Sequence, residues 1–282
     1  MTAAARRAAA AAAACERRHP VKIEIKHITD RECKLVVDGV HPYFVNALRR
    51  TLLSEVPKLA VDKVTFYDNT SALFDEIIAH RIGLLPVPTD PSTLNLIGQA
   101  DADGKPTYVV RYTLTKEGPC TVYSGDLEPE DKKFAIVDPK VPIVELLADQ
   151  RLILEAEAVL GQGTQHAKWQ VCSAVGYKYF PTVTIDAKKI KPEQAQLAVQ
   201  RSPAGILGVD NGKLVVLQMD EVNRADEAEK ILGDGFRIKY DDRKFVFRFE
   251  TDGSLKAEDA LMKALDLLKE RFERFQEAAS DL

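Results

Sequence analysis

The stretch from His41 to Pro57, HPYFVNALRRTLLSEVP, constrains the fold of this chain more than any other. Asp38-Gly39 closes the extended run before it. Pro42 suits the first turn of a helix, where its missing N–H is no loss, and Pro57 stops the pattern. The result is one helix of about four turns. Its apolar residues, Phe44, Val45, Ala47, Leu48, Leu52, Leu53 and Val56, cover more than the single stripe that a helix lying on one core requires. Two arrangements satisfy that pattern: a helix at the centre of one large core, or a helix with its own sheet on one side and another chain on the other. Asn46, Arg49, Arg50, Ser54 and Glu55 are left to meet water or charged partners.

A second helix of the same kind closes the chain. Leu261, Leu265, Leu268, Phe272 and Phe275 recur at the alternating spacings of a coiled-coil seam, and Ala257, Ala260, Ala264 and Leu267 form a parallel row that lets another backbone come close. One row would satisfy a helix lying on its own sheet; two rows favour burial on both sides. Ser254 is the expected N-cap, with Glu258 and Asp259 in the first turn and Lys269, Arg271 and Arg274 in the last, the charge order that the helix dipole favours.

Between and before these helices the pattern is mainly extended. Val21–Ile28 alternates apolar and charged residues, predicting a half-buried strand, and Cys33–Val37 predicts its hairpin partner. Short strands follow at Val61–Tyr67, Tyr108–Leu114, Val144–Leu147 and Arg151–Leu160, with Pro86, Pro88, Pro91, Gly98 and Gly104 forbidding long elements in between. Ala174–Ile185 is extended again. Residues 186–234 stand apart, with helical pieces at Glu193–Gln200 and Asn223–Leu232 around the hairpin-like GVDNGKLVVL; strands resume at Phe236–Lys239 and Lys244–Glu250.

A net charge of −4, with 29% charged residues, does not suit a chain whose main surface grips nucleic acid. No apolar run approaches the roughly 18 residues of a membrane span. The four cysteines, Cys15, Cys33, Cys120 and Cys172, contain no C-x-x-C pair and read as reduced thiols of a cytosolic protein. The five histidines, His19, His27, His41, His80 and His166, show no metal-ligand spacing, and no phosphate-cradling glycine loop occurs. Glu76, His80 and Arg81 lie at i, i+4 and i+5 of one short helix and read as a polar network orienting the following loop rather than as an active site. His166, Lys168 and Trp169 fit either a domain-junction loop or a partner contact. The first twenty residues are alanine-rich; alanine is too weakly apolar for a secretory signal, so they read as a frayed helix, a disordered extension or an upstream start, with no function assigned.

NALRRTLLSEVP closely resembles the dimerisation helix of the RNA polymerase assembly subunits: the bacterial alpha type, the archaeal D type and their eukaryotic counterparts. LFDEIIAHRIGLLPVPTD, from Leu73 to Asp90, is similar to the family's acidic-then-His-Arg segment. GTQHAKW, from Gly163 to Trp169, resembles a loop of the archaeal and eukaryotic members, and FRFETDGSLKAEDAL, from Phe247 to Leu261, the strand and turn that enter the last helix. The four matches occur in the family's order and cover the chain from about residue 21 to 278. They imply an α+β fold with a discontinuous dimerisation domain, an antiparallel sheet with two helices, built from 21–57, 171–186 and 235–280. Into it are set a β-rich domain, 58–170, and a ferredoxin-like insert, 187–234, after a low-complexity extension, 1–20.

Many archaeal members carry iron–sulfur clusters in that insert, on cysteines spaced C-x₂-C-x₂-C-x₃-C before a proline. Here SPAGI, Ser202 to Ile206, resembles the end of such a run, and the eight ligand positions fall on Pro192, Ala195, Ala198, Ser202, Val222, Ala225, Ala228 and Leu232. None supplies a thiolate, and no cofactor or metal is expected; an unrelated α+β insert is the alternative. This feature makes the chain most like the archaeal D-type members.

The resemblance further implies a non-catalytic, cytoplasmic assembly subunit of a multisubunit DNA-dependent RNA polymerase. It would have no active site of its own, although the whole complex is a nucleotidyltransferase. It would pair with a smaller homologous subunit, called L in archaea, to form a platform for the two large subunits, and would meet DNA only through the complex. The implied partner-facing residues are Phe44, Asn46, Leu48, Arg49, Arg50 and Leu52 on the first helix, Glu76, His80 and Arg81, and Leu261, Leu265, Leu268, Phe272 and Phe275 on the last. Two rivals stand beside this reading: a free-standing homodimeric scaffold, and a redox protein built on the ferredoxin-like segment, against which the missing cysteines argue.

Overall fold

Helix α1 (Pro42–Ser54) forms where its apolar residues and flanking prolines place it. The amides of Glu55 and Val56 both turn back to the Thr51 carbonyl, at 2.9 and 3.3 Å, and end the helix before Pro57. The computed structural model describes residues 20–101, 104 and 106–280. The reading of the alanine-rich extension, with Cys15 and His19, lies outside the described residues.

The strands are β1 (Lys22–Ile28), β2 (Glu32–Asp38), β3 (Lys58–Asn69), β4 (Val109–Glu117), β5 (Cys120–Tyr123), β6 (Glu128–Pro129), β7 (Pro142–Leu146), β8 (Arg151–Gly161), β9 (Cys172–Ile185), β10 (Leu207–Asp210), β11 (Lys213–Val216) and β12 (Phe236–Thr251). The other helices are α2 (Asp75–Gly83), α3 (Pro192–Arg201), α4 (Asp226–Leu232) and α5 (Ala257–Ser280). Helices and antiparallel sheets are mixed along the chain, as the α+β class requires. The chain divides into two compact units. One comprises the described residues through Lys26 with Leu35–Val45 and Tyr177–Phe247; the other comprises His27–Lys34, Asn46–Gly176 and the described residues from Arg248 onward.

The first unit carries the larger part of a four-stranded sheet in the order β1-β2-β12-β9. Two expectations are corrected here. The two strands predicted around residues 236–250 are a single strand of 16 residues, because ladder bonding keeps the polar Asp241-Asp242-Arg243 segment extended although it offers nothing to a core. Strand β1, predicted to be half-buried, exposes all seven residues; Ile23 and Ile25 are 61% and 60% accessible. Alternation along a strand marks an apolar side, but β1 lies at the sheet's edge, where the described residues place no cover over that side.

The segment 187–234 lies wholly in this unit and has its own core. Helices α3 and α4 and the β10–β11 hairpin enclose Ala195, Ala198, Val222, Ala225, Ala228 and Leu232 together with Ile206, Leu207, Leu214 and Phe236. The hairpin pairs Asp210 with Lys213 across Asn211-Gly212, both at positive φ, as its two-residue turn demands. The helix expected from Asn223 starts later: residues 219–224 form a 3₁₀ turn, and regular helix begins only at Asp226.

In the second unit β3, β8, β4 and β6 form one antiparallel sheet, in the order β3-β8-β4-β6, and β5 pairs with β7. Helix α2 buries Ile78 and Ile82 in the same core as Leu59, Tyr112, Leu114, Ile143, Leu152 and Leu154. Lys58, at the start of β3, is almost fully buried and its ammonium pairs with the Asp252 carboxylate. Asp252 also accepts bonds from the Ser254 amide at 3.0 Å and the Ser254 hydroxyl at 2.5 Å. Ser254 is therefore engaged by Asp252 and is not the N-cap of α5, which starts three residues later, where the Ala257 amide donates to the Asp30 carbonyl at 2.8 Å. The helix also runs on to Ser280, so Lys269, Arg271 and Arg274 lie inside it and its last turn holds no basic residue.

Candidate partner interface

Burial separates the two rows of α5. Ala257, Ala260, Ala264 and Leu268 are buried, Leu261, Leu265 and Leu267 are half-buried, and every described residue from Arg271 to Ser280 is exposed. Phe272 and Phe275 stand 59% and 73% accessible on this overhang. The alanine row thus faces the chain's own core. The leucine and phenylalanine seam, apart from Leu268, is left partly or wholly open.

Helix α1 divides less evenly. Leu48 and Leu52, expected on the partner side, are 5% and 0% accessible and have no surface to offer, because they are buried within their own chain. Phe44, Asn46 and Ala47 are half-buried. Asn46 accepts both Nε and Nη2 of Arg49, at 3.1 and 3.0 Å, which holds that guanidinium along the helix, and Arg50 is exposed beside it. An ion pair between Glu55 and Arg271 joins the C-terminal end of α1 to the middle of α5. That bond holds the Arg271 guanidinium above its ordinary pKa and so favours its charged form.

The three residues singled out on α2 share a short helix but not a single task. Arg81 donates from Nη1 to the Ile143 carbonyl at 2.5 Å and ties α2 to β7. Glu76 and His80 are exposed. His80 lies at the rim of a cleft of about 150 Å³ that it shares with Leu84, Asp62, His166 and Lys168, so two histidines that the sequence keeps 86 positions apart meet at one site. Lys168 bonds Asp62 at 2.6 Å and lies 4.3 Å over the Trp169 ring, and the Trp169 indole donates to the Val159 carbonyl at 3.1 Å. The loop carrying these residues docks on the C-terminal end of α1, through Thr164 N–H to the Ser54 carbonyl. The loop thus packs on α1, and its outer part also faces solvent.

Six of the eight positions matched to iron–sulfur ligands are packed apolar side chains of the 187–234 core, as described above; Ser202 is buried with its hydroxyl on the Ala198 carbonyl at 2.7 Å, and Pro192 is exposed. Such a site cannot hold a cluster. Among the described residues no group of three or more His, Cys, Asp or Glu is placed to bind a metal. Burial raises the Cys33 thiol to about 11 and the Cys172 thiol to about 12, so both stay protonated and inert. Protein purified anaerobically is expected to be colourless; stoichiometric iron by elemental analysis would refute this assignment.

A family model described as the RNA polymerase Rpb3/Rpb11 dimerisation domain matches residues 34–272. The chain belongs to this family. Among its relatives is the DNA-directed RNA polymerase subunit Rpo3 of Thermoplasma volcanium, 39% identical over 276 residues, 93% of this chain and 100% of the relative. The Rpo3 subunits of Pyrococcus horikoshii and Methanothermobacter thermautotrophicus are 40% and 37% identical over 260 and 257 residues, or 90% and 89% of this chain and 96% of each relative.

Several features of this Rpb3/Rpb11-family chain escape sequence reasoning. Phe74 and Leu84, which cap the two ends of α2, and Ile77 within it are exposed, and the i, i+3 spacing from residue 74 to 77 was a readable signal. The exposed apolar side of β1 carried a signal too, but one indistinguishable from that of a buried strand. The Lys58–Asp252 pair and the loop contacts to α1 link residues more than a hundred positions apart and leave no local trace. No described helix is long and apolar enough to cross a membrane.

Proposed function

We propose that this chain, an assembly subunit of DNA-directed RNA polymerase, pairs through α1 and α5 with a smaller homologous subunit of the archaeal L type, and that the pair forms a platform for the two large subunits. The observation that carries this reading is the overhang of α5. Ten consecutive exposed residues with two open phenylalanines have no reason to stay helical in water alone, since isolated helices of this length are marginal and the seam gains its stability by packing. Family membership supports dimerisation. The exposed Arg50, the adjacent Arg49 and the outer side of α2 support a second contact region for a large subunit. Nucleotidyl transfer belongs to the large subunits, DNA is met through them, and the complex works in the cytoplasm. The dimerisation domain comprises 21–57, 171–186 and 235–280, with 58–170 and the ferredoxin-like 187–234 as insertions.

Co-expression with the small homologous subunit is expected to give a 1:1 heterodimer, while the chain alone self-associates. Phe275→Ala should weaken the heterodimer by about 2 kcal/mol, roughly thirty-fold, as truncation of an aromatic anchor does. Leu268 is unsuitable for this test, because it is buried in its own chain and a polar residue there would compromise folding first. A stable homodimer that ignores the small subunit would instead support a free-standing scaffold. Replacing 187–234 with a short linker should leave heterodimer formation on a sizing column intact, since α1 and α5 lie outside that segment and most of its core residues come from within it.

A further inference from the structure

The end of α1 is capped by a distant part of the chain. The last carbonyls of a helix lack intrahelical donors and need outside partners. Here the Thr164 amide donates to the Ser54 carbonyl at 2.9 Å, and Gln162 Nε2 donates to the Glu55 carbonyl at 2.9 Å. Between them Gly163 lies so close that a Cβ would sit 2.8 Å from the Leu53 carbonyl oxygen and 3.1 Å from the Ser54 Cα. The loop is itself rigid: Gln165 Oε1 accepts from the Gln162 amide at 3.0 Å, and the Gln165 amide returns a bond to the Gln162 carbonyl at 2.9 Å. Downstream it is pinned by Trp169, whose indole packs so close to Gly161 that a Cβ there would clash with Trp169 Cε2. Glu55 is thus held twice, its carbonyl by Gln162 and its carboxylate by Arg271 of α5.

We infer that Gln162, Gly163 and Thr164 are positioning residues for partner binding, although none lies on α1 or α5. By clamping the last turn of α1 the loop fixes Glu55, and through Glu55 it fixes the placement of Arg271 at the start of the exposed overhang. The open side of the helix pair is then presented in one geometry, and the partner does not have to select it from several. The inference rests on the reading of α1 and α5 as the partner-binding pair.

The test is a titration of the full-length chain with the small homologous subunit, comparing wild type with Gly163→Val, Gln162→Ala, Arg271→Ala and the last two combined, alongside the melting temperature of each free chain. Gly163→Val should weaken binding at least about tenfold, because the added carbons force the loop off the helix backbone. Gln162→Ala should weaken it about fivefold, the worth of one hydrogen bond. Thr164→Ser, which keeps the backbone donor, should bind as wild type does. Gln162→Ala and Arg271→Ala should be non-additive in affinity, since both act through Glu55, whereas a purely structural role would move only the melting temperatures. Wild-type affinity for Gly163→Val, or strict additivity of the pair, overturns the positioning role alone. Failure of the wild-type chain to bind the small subunit overturns the partner reading and the positioning role with it.

Discussion

Lys58→Met is expected to lower the unfolding free energy by about 3–5 kcal/mol, the usual cost of stranding one charge of a buried pair. The Lys58 side chain is 3% accessible and the Asp252 side chain 28%, so removing the ammonium leaves a carboxylate with little water to replace it. Two bonds from Ser254 remain and will place the loss toward the lower end of that range. Adding Asp252→Asn should recover much of it, because the amide keeps an acceptor for Ser254 and carries no charge to strand. Urea denaturation of the full chain, comparing midpoints at constant slope, decides the matter. A loss below about 1 kcal/mol for Lys58→Met would mean that the pair behaves as a surface contact.

Changing Arg49 and Arg50 together to glutamate should leave the heterodimer with the small subunit intact and block recruitment of a large subunit. On an exposed helix side, loss of the two charges should alter stability by only about 0.5 kcal/mol. If the guanidinium groups instead meet carboxylates or carbonyls of a large subunit, truncating such a buried contact costs about 2–5 kcal/mol of binding, roughly thirty-fold to several thousand-fold. The bonds from Arg49 to Asn46 pre-orient that guanidinium and give Asn46→Ala a smaller effect of the same sign. Two-step reconstitution on a sizing column is the measurement. Recruitment equal to wild type by the double variant would remove this side of α1 from the large-subunit contact.

What was legible in the sequence follows a physical pattern. The two rows of α5 were readable because helical geometry converts spacing directly into direction, and the alanine row is the one that burial selects. Leu48 and Leu52 were readable as apolar but not as inward, since α1 is apolar over more than half its circumference and spacing alone cannot say which part meets the chain's own core. The same limit explains β1: Val21, Ile23 and Ile25 mark a side without saying what covers it. Ser254 misled because a serine ahead of an acidic turn is an ordinary N-cap pattern, and only the geometry shows that Asp252 already holds it. Arg81 and Gln162 act on Ile143 and Glu55 through bonds that depend on how distant strands and loops are brought together. The residues at the eight matched positions were the reverse case: their chemistry was fully stated by the residue types, and the fold adds that six of them share one core.

That core of alanine, valine and leucine changes what the cell must supply before the subunit is complete. A cluster-bearing segment waits for ferrous iron, sulfide and a delivery machinery, and oxygen can dismantle it afterwards. A segment closed by Ala195, Ala198, Val222, Ala225, Ala228 and Leu232 can mature as soon as it leaves the ribosome. Yield of this subunit is therefore expected to be independent of iron supply and of aeration.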